Sequence, residues 1–286
     1  MKKNLLVVLM LISALSFSQD SIKYVEQGIE ETLDLYTKAV KKLENHDIDG
    51  AFKDANEIIK SAPNFAKAYG LRGYINYFYK KSPELAIADF TTQLQLNPTN
   101  AGAYLYRGYS CEEIGRIDEA KLDYDNAIKF DSENLNSYYR RGICKANLQD
   151  FLGAITDYDF ILNYKGDRKV EFDQWATVYS DRAYCLAELN RFKEGLLSIN
   201  EALKLDESLW YSWCIRGEIC FKMDEFQKCI NDMDRSISIQ NQGNAYYYKG
   251  LANIKLGKIK DGCADLAKSS EFGLVEAKEA IKKYCN

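Results

Sequence analysis

An all-helical chain built from repeated two-helix units is what the sequence predicts, and three observations predict it. A small residue recurs at nearly fixed intervals: Gly73, Gly108, Gly142, Ala183, Gly217 and Gly250 lie 35, 34, 41, 34 and 33 residues apart. Within each interval the apolar residues fall at helical rather than strand spacing. Only 3 Pro and 17 Gly occur among 286 residues, too few for a collagen, a low-complexity chain or a turn-rich β-sandwich.

The first segment, residues 1–18, reads MKKNLLVVLMLISALSFS. Lys2 and Lys3 precede an apolar run from Leu5 to Leu15, and Ser16-Phe17-Ser18 offers a small-x-small cleavage site before Gln19. These are the three parts of a secretory signal peptide. The run is short for a membrane span, which needs about 20 residues, and no cysteine follows it in the position for lipid attachment. The expectation is an exported chain, periplasmic or secreted, with no membrane span after cleavage. Residues 19–31 are a lead-in able to add a helix.

The repeated units come next. An arginine precedes the small residue at Arg72, Arg107, Arg141, Arg182 and Arg216, with Lys249 in the last copy. An aromatic stands shortly before it at Tyr69, Tyr104, Tyr138, Tyr179, Trp213 and Tyr246. About twelve residues later comes a second small residue: Ala86, Ala120, Ala154, Gly195, Cys229 and Gly262. An earlier copy shows Ala39 and Ala51, closed by Pro63. In the copy 101–134, Tyr104, Ile114, Ile117, Leu122 and Ile128 supply the apolar spacing of two helices. Gly108 and Ala120 allow close approach where those helices cross. Asn97-Pro98 and similar polar ends stop one copy before the next begins.

This pattern resembles the tetratricopeptide repeat, with Tyr104, Gly108, Gly115, Ala120, Tyr124 and Ala127 in the clearest copy and Pro63 and Pro98 as closing prolines in the first two. Seven copies are placed at 32–65, 66–100, 101–134, 135–168, 176–209, 210–242 and 243–276, with a capping helix at 277–286 in which Ile281 and Tyr284 face inward. The resemblance implies a right-handed superhelical solenoid whose copies bury their apolar faces against one another. It also implies an exported scaffold for protein–protein interaction. Residues 163–175 lengthen one junction and read as a longer loop or a contact loop at the groove edge.

Several residue sets bear on chemistry. The arginines recur in step with Asp89, Asp123, Asp157, Asp232 and Asp265, which predicts a structural Arg–Asp ladder between helices. Truncating one arginine should then lower stability more than binding. The pairs Asp123/Asp125 and Asp157/Asp159 are two residues apart, so each splits between helix faces. They read as solvated carboxylates rather than metal ligands or an acid–base pair. The single histidine, His46, builds neither a metal site nor a two-histidine pair. No nucleophile elbow, phosphate-cradling glycine loop or metal spacing occurs, so neither a catalytic nor a metal site is expected, nor any cofactor. Lys+Arg 38 against Asp+Glu 42, a formal charge of −4, leaves no cationic surface for nucleic acid.

Eight cysteines are present. The run GCADLAKSSEFG followed by KKYC resembles the C-terminal cap of other bacterial exported repeat proteins. It favours a Cys263–Cys285 bridge stapling the cap helix to the last copy. Cys220 and Cys229 flank a helix–helix turn and could also pair, while Cys111, Cys144 and Cys185 suit bridges or small buried hydrophobes equally.

Tyrosine is abundant, with 21 residues. Positions that line the concave surface in proteins of this family fall here on Tyr36, Tyr74, Tyr77, Phe78, Leu105, Tyr109, Tyr139, Tyr184, Tyr211, Phe221 and Tyr247. An amphipathic aromatic stripe of this kind would hold an extended peptide or a partner helix. Some members of the family clamp a terminal carboxylate with Lys and Asn. Here Tyr36 and Val40 stand where that clamp would begin, which argues against it. Self-assembly of the chain as a structural envelope protein is the alternative, and an enzyme with an unrecognised site a more distant one.

Overall fold

The computed structural model describes residues 19–165 and 174–285; the signal-like segment, most of the long junction at 163–175 and Asn286 lie outside the described residues. Among the described residues there are fifteen helices and no strand. The chain divides into two compact units, residues 1–132 and 133–286.

The first unit holds α1 (Gln19–Glu44), α2 (Ile48–Ser61), α3 (Ala66–Phe78), α4 (Pro83–Leu96), α5 (Ala101–Glu113) and α6 (Ile117–Phe130). Connections of a few residues make sequential helices antiparallel neighbours, and α1/α2, α3/α4 and α5/α6 pack as hairpins. The segment 19–31 is not a separate element: it is the start of α1, 26 residues long against 14 in α2.

The second unit holds α7 (Leu135–Asn147), α8 (Phe151–Leu162), α9 (Trp175–Glu188), α10 (Phe192–Leu205), α11 (Trp210–Lys222), α12 (Phe226–Ile239), α13 (Gly243–Lys255), α14 (Ile259–Glu271) and α15 (Val275–Tyr284). The hairpins are α7/α8, α9/α10, α11/α12 and α13/α14, with α15 folded onto α14.

Local chemistry sets the ends. Asp47, Asn100, Asn134 and Asp150 each accept a hydrogen bond from the backbone N–H three residues on, satisfying a donor that the first helical turn leaves open. Every hairpin turn has one left-handed residue in the same register: His46, Lys81, Gly115, Gln149, Asn190, Asp224 and Gly257. His46, with φ of 62°, is therefore a turn residue. Gly273, also left-handed at φ of 88°, ends α14 before α15.

Packing explains the small residues. A Cβ on Gly108 would stand 2.5 Å from a ring carbon of Tyr124, and one on Gly262 would stand 2.7 Å from the Gly250 carbonyl oxygen. Hairpin crossings thus exclude side chains at the first and press backbone on backbone at the second. The buried stripe of α6 is Ala120, Asp123, Tyr124 and Ala127. Leu122 does not belong to it: it is 59% exposed, because a residue two steps from Ala120 and Tyr124 points away from the face they share.

The last copy is closed as expected from the cap. Cys263 and Cys285 are bonded, with Cα atoms 5.7 Å apart. In α15 the buried residues are Ala277 and Ala280, with Ile281 and Tyr284 half-buried beside them. The other six cysteines are buried and form no disulfide. Cys220 and Cys229 do not pair: the Cys229 thiol donates instead to the Tyr248 carbonyl at 3.8 Å, in an apolar cluster that also holds Cys214. Burial pushes the thiols of Cys111 and Cys220 up to about 11 and those of Cys185 and Cys214 up to about 12. Thiols held so far from ionisation are poor nucleophiles.

Candidate functional site

Two features recur along the helices, one polar and one aromatic. The polar one is the arginine ladder. Arg107 donates from Nε and Nη2 to Asp123 at 2.9 and 2.7 Å, joining α5 to α6. Its Nη1 reaches Thr91 of α4 at 3.1 Å, joining the preceding hairpin. Arg72 and Arg216 repeat the arrangement, with Asp89 and Asn56, and with Asp232 and Asn200. Arg141 holds Asp157 at 2.6 Å and Lys249 holds Asp234 at 2.8 Å, with Asp265 at 3.6 Å. The guanidinium groups of Arg72, Arg107, Arg141 and Arg216 also lie over the rings of Tyr69, Tyr104, Tyr138 and Trp213.

Asp123 and Asp157 are consequently not solvated: they are 4% and 2% exposed. The other member of each pair does face water, with side chains 38% exposed at Asp125 and 44% at Asp159. The ladder shifts to the preceding hairpin at two places: Lys249 lies nearer Asp234 of α12 than Asp265 of its own hairpin, and Arg182 changes partner altogether. Where the register calls for an aspartate on α10 the chain has Ser198, which donates to the Tyr179 carbonyl. Arg182 turns instead to Asp159 on α8, at 2.6 Å. Crevices of about 600 Å³ beside Arg216 and about 340 Å³ beside Arg107 lie along this ladder; of the cations in their walls, Arg216, Lys228, Arg107 and Arg116 are held by Asp232, Glu225, Asp123 and Glu119, and Arg235 lies over the Trp213 ring at 5.9 Å.

The aromatic feature is concentrated in the first unit. Tyr74, Tyr77 and Phe78 on α3 and Tyr109 on α5 are half-buried. Their rings meet at 4.4 Å for Tyr74–Phe78, 4.7 Å for Tyr77–Phe78 and 6.3 Å for Tyr77–Tyr109. Tyr106, which sequence reasoning passed over, joins them: it contacts Tyr74 at 5.5 Å, Phe78 at 5.8 Å and Tyr109 at 5.8 Å, and stacks on Phe90. Tyr36 on α1 is half-buried and lines the same cavity as Tyr74 and Tyr106, about 410 Å³ in volume. Burial pushes the hydroxyls of Tyr36, Tyr74 and Tyr106 above the usual tyrosine range, so they remain protonated donors. Leu105 is 7% exposed and belongs to the core.

The second unit does not repeat the cluster. Tyr139 is a core residue, 5% exposed and packed with Tyr158 and Ile155; its hydroxyl donates to Asp181 Oδ2 at 3.0 Å. The carboxyl of Asp181 is raised to about 6 by burial, against the lowering effect of that bond. Tyr184 is 40% exposed and stands edge-on to Phe151. Tyr211 is half-buried beside Trp210. Phe221 and Tyr247, both half-buried, meet through Tyr248 at 5.6 and 5.4 Å. The predicted residues of this unit thus fall into a core pair and separate small groups.

Among the described residues no three of His, Cys, Asp and Glu come together to hold a metal ion. Nor is any described helix long and apolar enough to cross a membrane.

Comparison with known proteins places the architecture. No protein-family model matches the chain. It is 24% identical over 253 residues to the DnaJ homolog subfamily C member 7 homolog of Schizosaccharomyces pombe, covering 87% of this chain and 48% of that protein. The chain therefore spans about half the length of this relative. A tetratricopeptide repeat protein from Parabacteroides merdae superposes with a TM-score of 0.62 at 18% identity, over 90% of this chain and all of that one. YrrB, described as a TPR protein with an unusual peptide-binding site, superposes with a TM-score of 0.52 at 16% identity, over 68% of this chain and 97% of its own. The chain has the fold of a tetratricopeptide-repeat protein, each unit a run of two-helix repeats tied together by half-buried arginines.

Proposed function

We propose that the chain is a protein–protein interaction scaffold and that the aromatic face of α1, α3 and α5 holds an extended peptide or partner segment. The observation that carries this is the contiguous, half-buried set Tyr74, Tyr77, Phe78, Tyr106 and Tyr109. Rings so placed offer large apolar area at low entropic cost, with hydroxyls able to meet a peptide backbone. The peptide-binding site named for YrrB, a neighbour in fold, supports the same use of the fold. The signal-like residues 1–18 and the Cys263–Cys285 bridge favour work in an exported, oxidising compartment, periplasmic or secreted.

Affinity capture from a native envelope extract tests this. The parent chain is compared with a Tyr74→Ala/Tyr77→Ala/Tyr109→Ala variant and with Leu122→Ala, a change on an exposed helix face. Partners retained by Leu122→Ala and lost by the tyrosine variant, with helical content unchanged, support the face. Identical partner sets from all three refute it.

A further inference from the structure

The fifth position of each repeat, three residues before the small residue of the first helix, carries Tyr36, Gly70, Leu105, Tyr139, Ser180, Cys214 and Tyr247 in turn. Only the second copy has no side chain there. Seven residues past the small residue of the second helix stand Ile58, Gln93, Ala127, Ile161, Ala202, Ser236 and Ser269, all buried. Ser236 and Ser269 satisfy their hydroxyls locally, donating to the carbonyls of Trp210 and Gly243 at 2.9 and 2.8 Å.

Gln93 is different. Its amide occupies the space that Gly70 leaves open: a Cβ on Gly70 would stand 2.6 Å from both Oε1 and Nε2. The residue is 8% exposed, and its Oε1 is buried with no hydrogen-bond partner. Such an acceptor is costly to leave unmet, and structures rarely retain one without a use. Above it lies the cavity of about 410 Å³, walled by Tyr36, Tyr74, Tyr106 and Phe90. Lys67 is the one charged residue of the lining. Its ammonium lies 5.8 Å from the centre of the Tyr36 ring and has no ion-pair partner among the described residues.

We propose that this cavity receives one large apolar side chain of an extended peptide, with a peptide N–H donated to Gln93 Oε1 and an adjacent peptide carboxylate against Lys67. The proposal rests on the peptide-binding function above and names the chemistry recognised: a leucine- or phenylalanine-sized anchor next to Asp or Glu. Gly70 makes room for the Gln93 amide at the cavity wall, Gln93 provides the main-chain contact, and Lys67 the charge preference.

The test is selection of a random peptide library displayed on phage against the full chain. The enriched sequences, as labelled synthetic peptides, are then titrated by fluorescence polarisation. The expected result is a consensus pairing a large apolar residue with an acidic one. Binding should weaken at least tenfold in Gly70→Leu, which fills the cavity, and at least tenfold in Gln93→Leu, which removes the acceptor. Lys67→Glu should shift the preference towards basic neighbours. Gln93→Leu replaces an unpartnered amide with an apolar group of similar size, so its melting temperature should be unchanged or higher. This variant keeps the test sound if Gly70→Leu folds poorly. If the enriched peptides bind Gly70→Leu and Gln93→Leu as tightly as the parent but lose affinity for Tyr77→Ala/Tyr109→Ala, the cavity is refuted and the aromatic face stands. No enrichment over an unrelated control protein overturns both.

Discussion

Removal of Arg107 should destabilise the chain far more than removal of a surface arginine, because of what it leaves behind. Asp123 is 4% exposed and takes two hydrogen bonds from that guanidinium. Burial already raises its carboxyl above the usual range while Arg107 pulls it down. In Arg107→Met the charge stays buried without its partner, a situation that costs about 3–5 kcal/mol. Protonation caps the loss, since each pKa unit gained is worth about 1.4 kcal/mol; about 3 kcal/mol is therefore expected near pH 7. Because the acid's pKa is raised, the variant recovers stability as pH falls. Arg107→Met/Asp123→Leu removes both charges and should come within about 1 kcal/mol of the parent. Urea unfolding followed by circular dichroism measures all three, with Arg116→Met as the exposed comparison. Arg116 sits in a solvent-facing pair with Glu119, so its loss should scarcely move the midpoint. A cost for Arg107→Met no larger than for Arg116→Met, or a double variant no more stable than Arg107→Met, would refute charge compensation as the ladder's role.

Two further outcomes are expected. Asp181, raised to about 6 in the folded chain against about 3.9 unfolded, holds its proton more tightly when folded. Its contribution is complete below about pH 4 and is lost as pH rises through 6, a decline of about 3 kcal/mol. Urea midpoints across that range should show the decline in the parent and a flatter profile in Asp181→Asn; parallel profiles would contradict it. Reduction of Cys263–Cys285, which closes a separation of 22 residues, should cost about 3 kcal/mol in chain entropy. Hydrogen exchange should report it as faster exchange in α14 and α15, with α1–α6 unaffected; unchanged protection of α15 would contradict it.

The hairpins were legible in the sequence because steric need repeats: a Cβ at Gly108 or Gly142 would collide with Tyr124 or Tyr158. The ladder was legible for a similar reason, since arginine and aspartate recur in step. The aromatic face was less so. Tyr36 and Tyr139 share one repeat position, yet Tyr36 is half-buried and Tyr139 is core. The difference lies in what stands beneath each ring. Tyr139 has Tyr158 beside it and Asp181 to receive its hydroxyl, contacts made across 19 and 42 residues that no repeat position encodes. Gly70 and Gln93 did carry a signal, a glycine and a glutamine where the other copies place different residues, but reading it requires comparing copies position by position. The absence of a Cys220–Cys229 bond likewise depended on a neighbour, the Tyr248 carbonyl of the next hairpin.

The changes of partner in the ladder bear on how such an array can be cut and rejoined. The hairpins α3/α4, α5/α6, α7/α8 and α11/α12 each contain an arginine together with the carboxylate that neutralises it. Each is electrically self-sufficient and can be duplicated or deleted without stranding its own arginine. The hairpins α9/α10 and α13/α14 are not, because Lys249 takes its nearer carboxylate, Asp234, from α12 and Arg182 borrows Asp159 from α8. Loss of α7/α8 alone would strand that arginine, whose side chain is 21% exposed. Recombination should therefore treat residues 135–205 as one heritable block and residues 210–271 as another, whereas α3/α4 and α5/α6 remain interchangeable parts.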